Sequence, residues 1–259
     1  MRSHHEHSQS NMEEPLFPLN LKTIVRHGFR FVNFRSMIRL TLGWPTRANR
    51  VFFIFEDQAY TYGEVYRNAR RYADFFLGLR QQRIEEGALG ENECLCIGIY
   101  QENAPEYMFA ALGAGLSNST LFAVNTGFRG QTLAAVLNKT GAACLLTDAE
   151  SDMEVARVLN DFQRLTASQI FITGPMPEGG DLPFTGIETA MEGVAPNVKP
   201  TRAPMDNTAP VLVIYTSGTT GMPKGVPCTH LKMIGAGAVV QSVVRLKKDD
   251  RGYVCMPLF

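Results

Sequence analysis

The chain has 259 residues, 45% hydrophobic and 19% charged, which is ordinary globular composition and enough for one large domain or two smaller ones. Its 25 basic and 25 acidic side chains cancel, so no overall field draws it onto a nucleic-acid backbone, and nucleic acid is excluded as a partner. The five cysteines (Cys94, Cys96, Cys144, Cys228, Cys255) form no CxxC pair and no zinc spacing, and read as reduced thiols in a soluble, cytoplasmic protein.

Residues 1–20 are polar and read as a disordered tail; His4, His5 and His7 could catch a metal adventitiously, but no metal site is assigned to them. Between Pro15 and Phe55 there is no Asp or Glu, while Lys22, Arg26, Arg30, Arg35, Arg39, Arg47 and Arg50 all fall there. From Leu21 to Val32 the spacing predicts an amphipathic helix, with Leu21, Ile24, Val25 and Val32 on one face and Lys22, Arg26 and Arg30 on the other. The plain reading docks this helix on its own domain with its basic face in water. The alternative lays it on an anionic membrane as a peripheral contact, which would suit a lipid substrate.

Val51 to Glu56 and Ala59 to Tyr62 predict a hairpin, followed by a helix from Gly63 to Arg80 with Tyr66, Ala69, Tyr72, Ala73 and Phe76 on one side. Strands then alternate with helices: a strand from Cys94 to Tyr100, a helix from Ala104 to Leu116, a strand from Thr120 to Val124, a helix from Gln131 to Lys139 and a strand from Ala142 to Thr147. Ser151 and Glu154 have the spacing of a capping box for a helix running to about Leu165, and Gln169 to Thr173 predicts another strand. This rhythm implies an α/β fold, a mostly parallel sheet flanked by helices on both faces. The proline- and glycine-rich stretch 174–210 reads as a surface connection with one short helix at Ile187 to Glu192, marking a subdomain boundary within a domain of residues 21–259.

Val211 to Tyr215 is a continuous apolar run, the mark of a strand buried on both faces, and it leads into YTSGTTGMPKGV. Gly218, Gly221 and Gly225 allow backbone angles closed to other residues and let main-chain N–H groups approach an anion. Thr216, Ser217, Thr219 and Thr220 add hydroxyl donors, and Lys224 adds positive charge. Pro223 fixes its own φ and pushes Met222 towards an extended shape, which gives Lys224 a defined direction. Hydrogen bonds to charged phosphate oxygens are each worth about 1.5–3 kcal/mol, so a few of them plus a lysine hold a nucleotide's phosphates. The spacing is not that of a Walker loop, GxxxxGK followed by Ser or Thr, because Met222 and Pro223 separate Gly221 from Lys224.

YTSGTTGMPKG resembles the signature loop of the adenylate-forming, AMP-binding superfamily of acyl- and aryl-CoA synthetases, luciferases and peptide-synthetase adenylation domains. AYTYGEVYRNARRYA, IYQENAPEYMFAALGAGL and AVNTGFRGQTLAAVLNKTGAACLLTD resemble earlier segments of the same family, and NTGFRGQTL and PKGVPCTH are most similar to fatty acyl-CoA synthetases. The resemblance implies an acid–thiol ligase that joins a carboxylic acid, a fatty acid in this branch, to ATP and then to coenzyme A, with Mg2+ as the metal. It implies that Thr216, Ser217, Gly218, Thr219, Thr220, Gly221 and Lys224 hold the β- and γ-phosphates, and that Thr229 and His230 begin the next helix.

Its magnesium glutamate, ribose aspartate, acyl pocket and adenylation lysine belong to sequence beyond Phe259, so no catalytic residue is assigned in this chain. The expectation is an N-terminal portion, weak in phosphate binding and inactive alone, with Gly252 to Met256 as an uncovered edge strand. An aryl-CoA ligase, a peptide-synthetase-type adenylation domain, and a non-catalytic nucleotide-binding module are the alternatives.

Overall fold

The structure, a computed structural model, describes residues 33–176, 183–194, 208–216, 222–247 and 249–259. The expected tail, the 21–32 helix and Ser217 to Gly221 lie outside the described residues.

Helix α1 (Phe34–Leu42) begins at Asn33, whose side chain accepts the Ser36 N–H at 2.8 Å. The hairpin β1 (Val51–Phe55) and β2 (Gln58–Thr61) turns at Glu56, which takes the left-handed φ of 51°. Phe53 stacks on Tyr60 at 4.7 Å, and Tyr60 meets Phe109 edge-on, which seats the hairpin on helix α3 (Pro105–Ser117). Helix α2 (Tyr62–Glu85) opens with a capping box: the Thr61 hydroxyl accepts the Glu64 N–H, and the Glu64 carboxylate accepts the Thr61 N–H at 2.8 Å.

The main sheet has seven strands. In chain order they are β3 (Cys96–Tyr100), β4 (Thr120–Ala123), β5 (Cys144–Thr147), β6 (Ile170–Ile172), β7 (Thr185–Gly186), β8 (Pro210–Thr216) and β9 (Lys224–Thr229). Their order in space is β7-β6-β5-β3-β4-β8-β9, with every neighbouring pair parallel except β8 and β9. Stretch 174–210 therefore contributes β7 and helix α6 (Ile187–Glu192) to the same sheet and its cover.

Alternation along the strands builds two cores, because successive side chains leave opposite faces. Ile97, Ile99, Leu121, Cys144 and Leu146 pack beneath α1, α2, α3 and α6. Tyr100, Leu145, Ile170, Ile172, Val213 and Tyr215 pack beneath α4 (Gly130–Thr140) and α5 (Asp152–Arg157). Burial in the first core pushes the Cys144 thiol up to about 12, which suits packing rather than thiolate chemistry.

Two expectations are corrected. Ser151 makes no side-chain cap; its N–H goes to Asp148 Oδ1 while the Glu154 carboxylate accepts the Gly130 N–H at 2.8 Å, at the start of α4, and α5 ends at Arg157. Residues 252–256 form no strand; the segment is held by side chains instead of a ladder.

Candidate functional site

Parallel strands all deliver their loops to one edge of the sheet, and open α/β sheets take ligands where adjacent strands send the chain to opposite faces. Strand β3 leads through α3 towards β4 on one face, and its other neighbour β5 leads through α5 towards β6 on the other, so the strand order reverses, and the crevice opens, between β3 and β5. Its rim carries Glu102 and Asn103 after β3 and Asp148 after β5, with Asn125 to Arg129 on the neighbouring loop after β4.

Side chains stitch these loops in place. The Thr126 hydroxyl donates to the Glu102 carboxylate, the Glu102 N–H donates to Asp148 Oδ2 at 2.8 Å, and the Ser151 N–H donates to Asp148 Oδ1 at 2.8 Å. Asn125 accepts the Gly127 N–H at 2.7 Å, closing an Asx turn. Fully buried Tyr100 donates its hydroxyl to the Phe128 carbonyl at 2.8 Å and accepts from the Arg129 guanidinium. Burial raises the Tyr100 hydroxyl's pKa, and the Arg129 charge opposes that rise.

The predicted phosphate loop leaves the same edge. Strand β8 pairs with β4 through Ala123 and Ile214, so Thr216 ends beside the loop that follows β4. Thr216 faces Lys224 across the β8–β9 ladder, and its hydroxyl donates to the Lys224 carbonyl at 3.4 Å. Of the seven predicted site residues, the structure brings together Thr216 and Lys224, both exposed; Ser217, Gly218, Thr219, Thr220 and Gly221 lie outside the described residues.

The sequence reading put Lys224 in the loop, whereas it is the first residue of a strand, and buried Pro223 precedes it. Gly225 likewise serves packing: a Cβ there would meet Val213 Cγ1 at 2.9 Å, and its φ is not positive. Thr229 caps helix α7 (His230–Val244) by accepting the Lys232 N–H at 3.2 Å, as expected.

A family model described as AMP-binding enzyme matches residues 44–259. The chain belongs to the AMP-binding enzyme family. Among relatives, long-chain fatty acid transport protein 2 of Rattus norvegicus is 27% identical over 217 residues, covering 82% of this chain and 32% of that protein. A medium/long-chain fatty-acid–CoA ligase of Mycobacterium tuberculosis is 30% identical over 212 residues, covering 82% and 32%. The structure of o-succinylbenzoate CoA synthetase from Bacillus subtilis, in complex with the acyl-adenylate intermediate OSB-AMP, superposes with a TM-score of 0.61 at 20% identity. It covers 87% of this chain and 39% of that one, a likeness of fold. The chain thus spans about a third of the length of the curated relatives it matches.

For this AMP-binding family member, sequence reasoning missed Glu102, Asn103 and Thr126. Their signal was positional: each follows the carboxyl end of a strand the sequence did predict. Among the described residues no three His, Cys, Asp or Glu side chains converge to hold a cation. No described helix is long and apolar enough to cross a membrane.

Proposed function

We propose that the chain is the phosphate-gripping portion of an ATP-dependent fatty acyl-CoA ligase. The observation that carries this reading is the opening of the β8–β9 hairpin at the same sheet edge as the switch-point crevice, with Thr216 on one side and Lys224 on the other. Seven residues, 217–223, join them, and the first five are all glycine or hydroxyl residues.

In the reaction a carboxylate oxygen attacks the α-phosphorus of ATP, and the bond to the β-phosphate oxygen breaks with its electron pair leaving on pyrophosphate. Thr216, Ser217, Gly218, Thr219, Thr220, Gly221 and Lys224 hold the β- and γ-phosphates, so their donors meet charge as it develops there. Coenzyme A thiolate then takes the acyl group as a thioester, releasing AMP. Mg2+, when bound, neutralises phosphate charge; no residue of this chain is assigned to it or to coenzyme A.

The fatty-acid assignment is supported by NTGFRGQTL and PKGVPCTH and by the rat and mycobacterial relatives. An aromatic acid is the second reading, supported by the likeness to the o-succinylbenzoate enzyme. In either case the basic stretch 21–32 is the part that would rest on an anionic membrane.

The test is ATP–pyrophosphate exchange by the chain with panels of fatty and aromatic acids. A portion that only grips phosphates is expected to bind ATP without exchange; exchange driven by fatty acids would make the chain a self-sufficient adenylating unit, and exchange with aromatic acids alone transfers the assignment to them. Absent exchange in a folded chain that still binds ATP leaves a nucleotide-binding module.

A further inference from the structure

Three hydrogen bonds join parts of the chain 151 to 155 positions apart. Asn103 donates from Nδ2 to the Met256 carbonyl at 3.1 Å and accepts the Leu258 N–H at Oδ1, 2.9 Å away. Tyr107, one turn into α3, donates its hydroxyl to the Leu258 carbonyl at 2.7 Å.

A carbonyl and an N–H two residues apart, bonded to one partner, is the pattern of a parallel β ladder. Asn103 reproduces it with a single side-chain amide, so a segment with no strand partner is held as though it had one. Leu258 and Phe259 then pack, partly buried, on the α3 side of the sheet.

The position of this clamp gives it a role. Asn103 follows Glu102 at the crevice between β3 and β5, and β4 alone separates β3 from β8. With strands about 4.8 Å apart, the clamp stands about 10 Å along the sheet edge from the end of β8.

We propose that Asn103 is a positioning residue: with help from Tyr107, its amide fixes residues 256–259 as the α3-side wall of the crevice in which ATP and the carboxylic acid meet. The clamp rests on geometry alone; its role as a wall rests on the nucleotide reading above. Asn103 is half-buried and outside the hydrophobic core, so its replacement releases the segment without emptying that core.

The experiment pairs amide hydrogen exchange at Leu258 with calorimetric titration of Mg·ATP, on the 259-residue chain. Asn103→Ala is expected to speed Leu258 exchange and to weaken Mg·ATP, each by roughly three- to tenfold, while α3 amides keep their protection. Asn103→Asp, which keeps the acceptor and loses the donor, falls between the two. Lys224→Ala weakens Mg·ATP without altering Leu258 exchange, separating the phosphate grip from the wall. Should Asn103→Ala fail to fold, Tyr107→Phe, which keeps the ring in place, is expected to speed exchange across 256–259.

Unchanged Leu258 exchange in a folded Asn103→Ala overturns the clamp. Faster exchange with unchanged Mg·ATP affinity overturns the wall. A wild-type chain that binds no Mg·ATP contradicts the nucleotide reading and the wall together, and the exchange result still decides the clamp.

Discussion

Lys224 begins an edge strand directly opposite Thr216, so its backbone is fixed by the ladder while its side chain stays in solvent. A cation held this way can meet a phosphate without reorganising the chain. Lys224→Ala is expected to weaken Mg·ATP binding by about tenfold or more, the worth of one charge-assisted contact, with the thermal unfolding profile unchanged.

Two carboxylates of α5 titrate in opposite senses. The Gly130 N–H, with lesser help from Arg157, holds Glu154 below its usual range, so its contribution is present at neutral pH and is lost as pH falls through the lowered folded value. Burial raises Asp152, outweighing the opposing Met153 N–H, and the Asp148 charge adds to the rise. Keeping it ionised therefore opposes folding above its raised pKa. In urea titrations, Glu154→Gln should destabilise the chain more at about pH 7 than at about pH 4, and Asp152→Asn should stabilise it more at about pH 7 than at about pH 4.

These roles were only half legible. The Ser151/Glu154 spacing is that of a capping box, yet the carboxylate bonds a different helix. Among the described residues a box forms at Thr61/Glu64, where the helix begins at Tyr62, one residue before the expected Gly63, and Thr166/Gln169 have the same spacing at a three-residue 3-10 turn that the periodicity had not marked. A cap motif names what a side chain can do locally, and tertiary contacts decide which N–H it meets.

At the scale of elements, α2 and α3 approach so closely at Gly113 that a Cβ there would lie 2.6 Å from Tyr72 Cβ and 3.1 Å from the Ala69 carbonyl oxygen. Gly113→Ala should cost about 1–3 kcal/mol through overpacking. Gly78, inside α2, has its nearest neighbour at 3.8 Å, so Gly78→Ala should stabilise by about 0.5–1 kcal/mol through helix propensity. Denaturant midpoints of the two variants should move in opposite directions, and a shared direction contradicts the helix crossing. The strands from β3 to β6 and the helices α2 to α4 were readable because their apolar periods are long and clean. Strand β9 was not: Gly225, Pro227 and mostly exposed side chains give an edge strand little pattern.

For the whole molecule, alternating strands and helices implied a parallel sheet, but not the order β7-β6-β5-β3-β4-β8-β9, since pairing across the sheet leaves no mark in local periodicity. The crevice between β3 and β5 comes from that order, which is why Glu102, Asn103 and Thr126 escaped a reading that found the glycine-rich loop at once. The loop declares itself by composition, whereas the crevice declares itself only by topology.

The account's central claim is that the edge at which β8 opens towards β9 grips nucleotide phosphates. Its most direct test is calorimetric titration of Mg·ATP into the 259-residue chain and into Lys224→Ala. Saturable binding by the wild type that weakens in the variant is the predicted result; equal affinity in a folded Lys224→Ala, or no binding by a folded wild type, would contradict it.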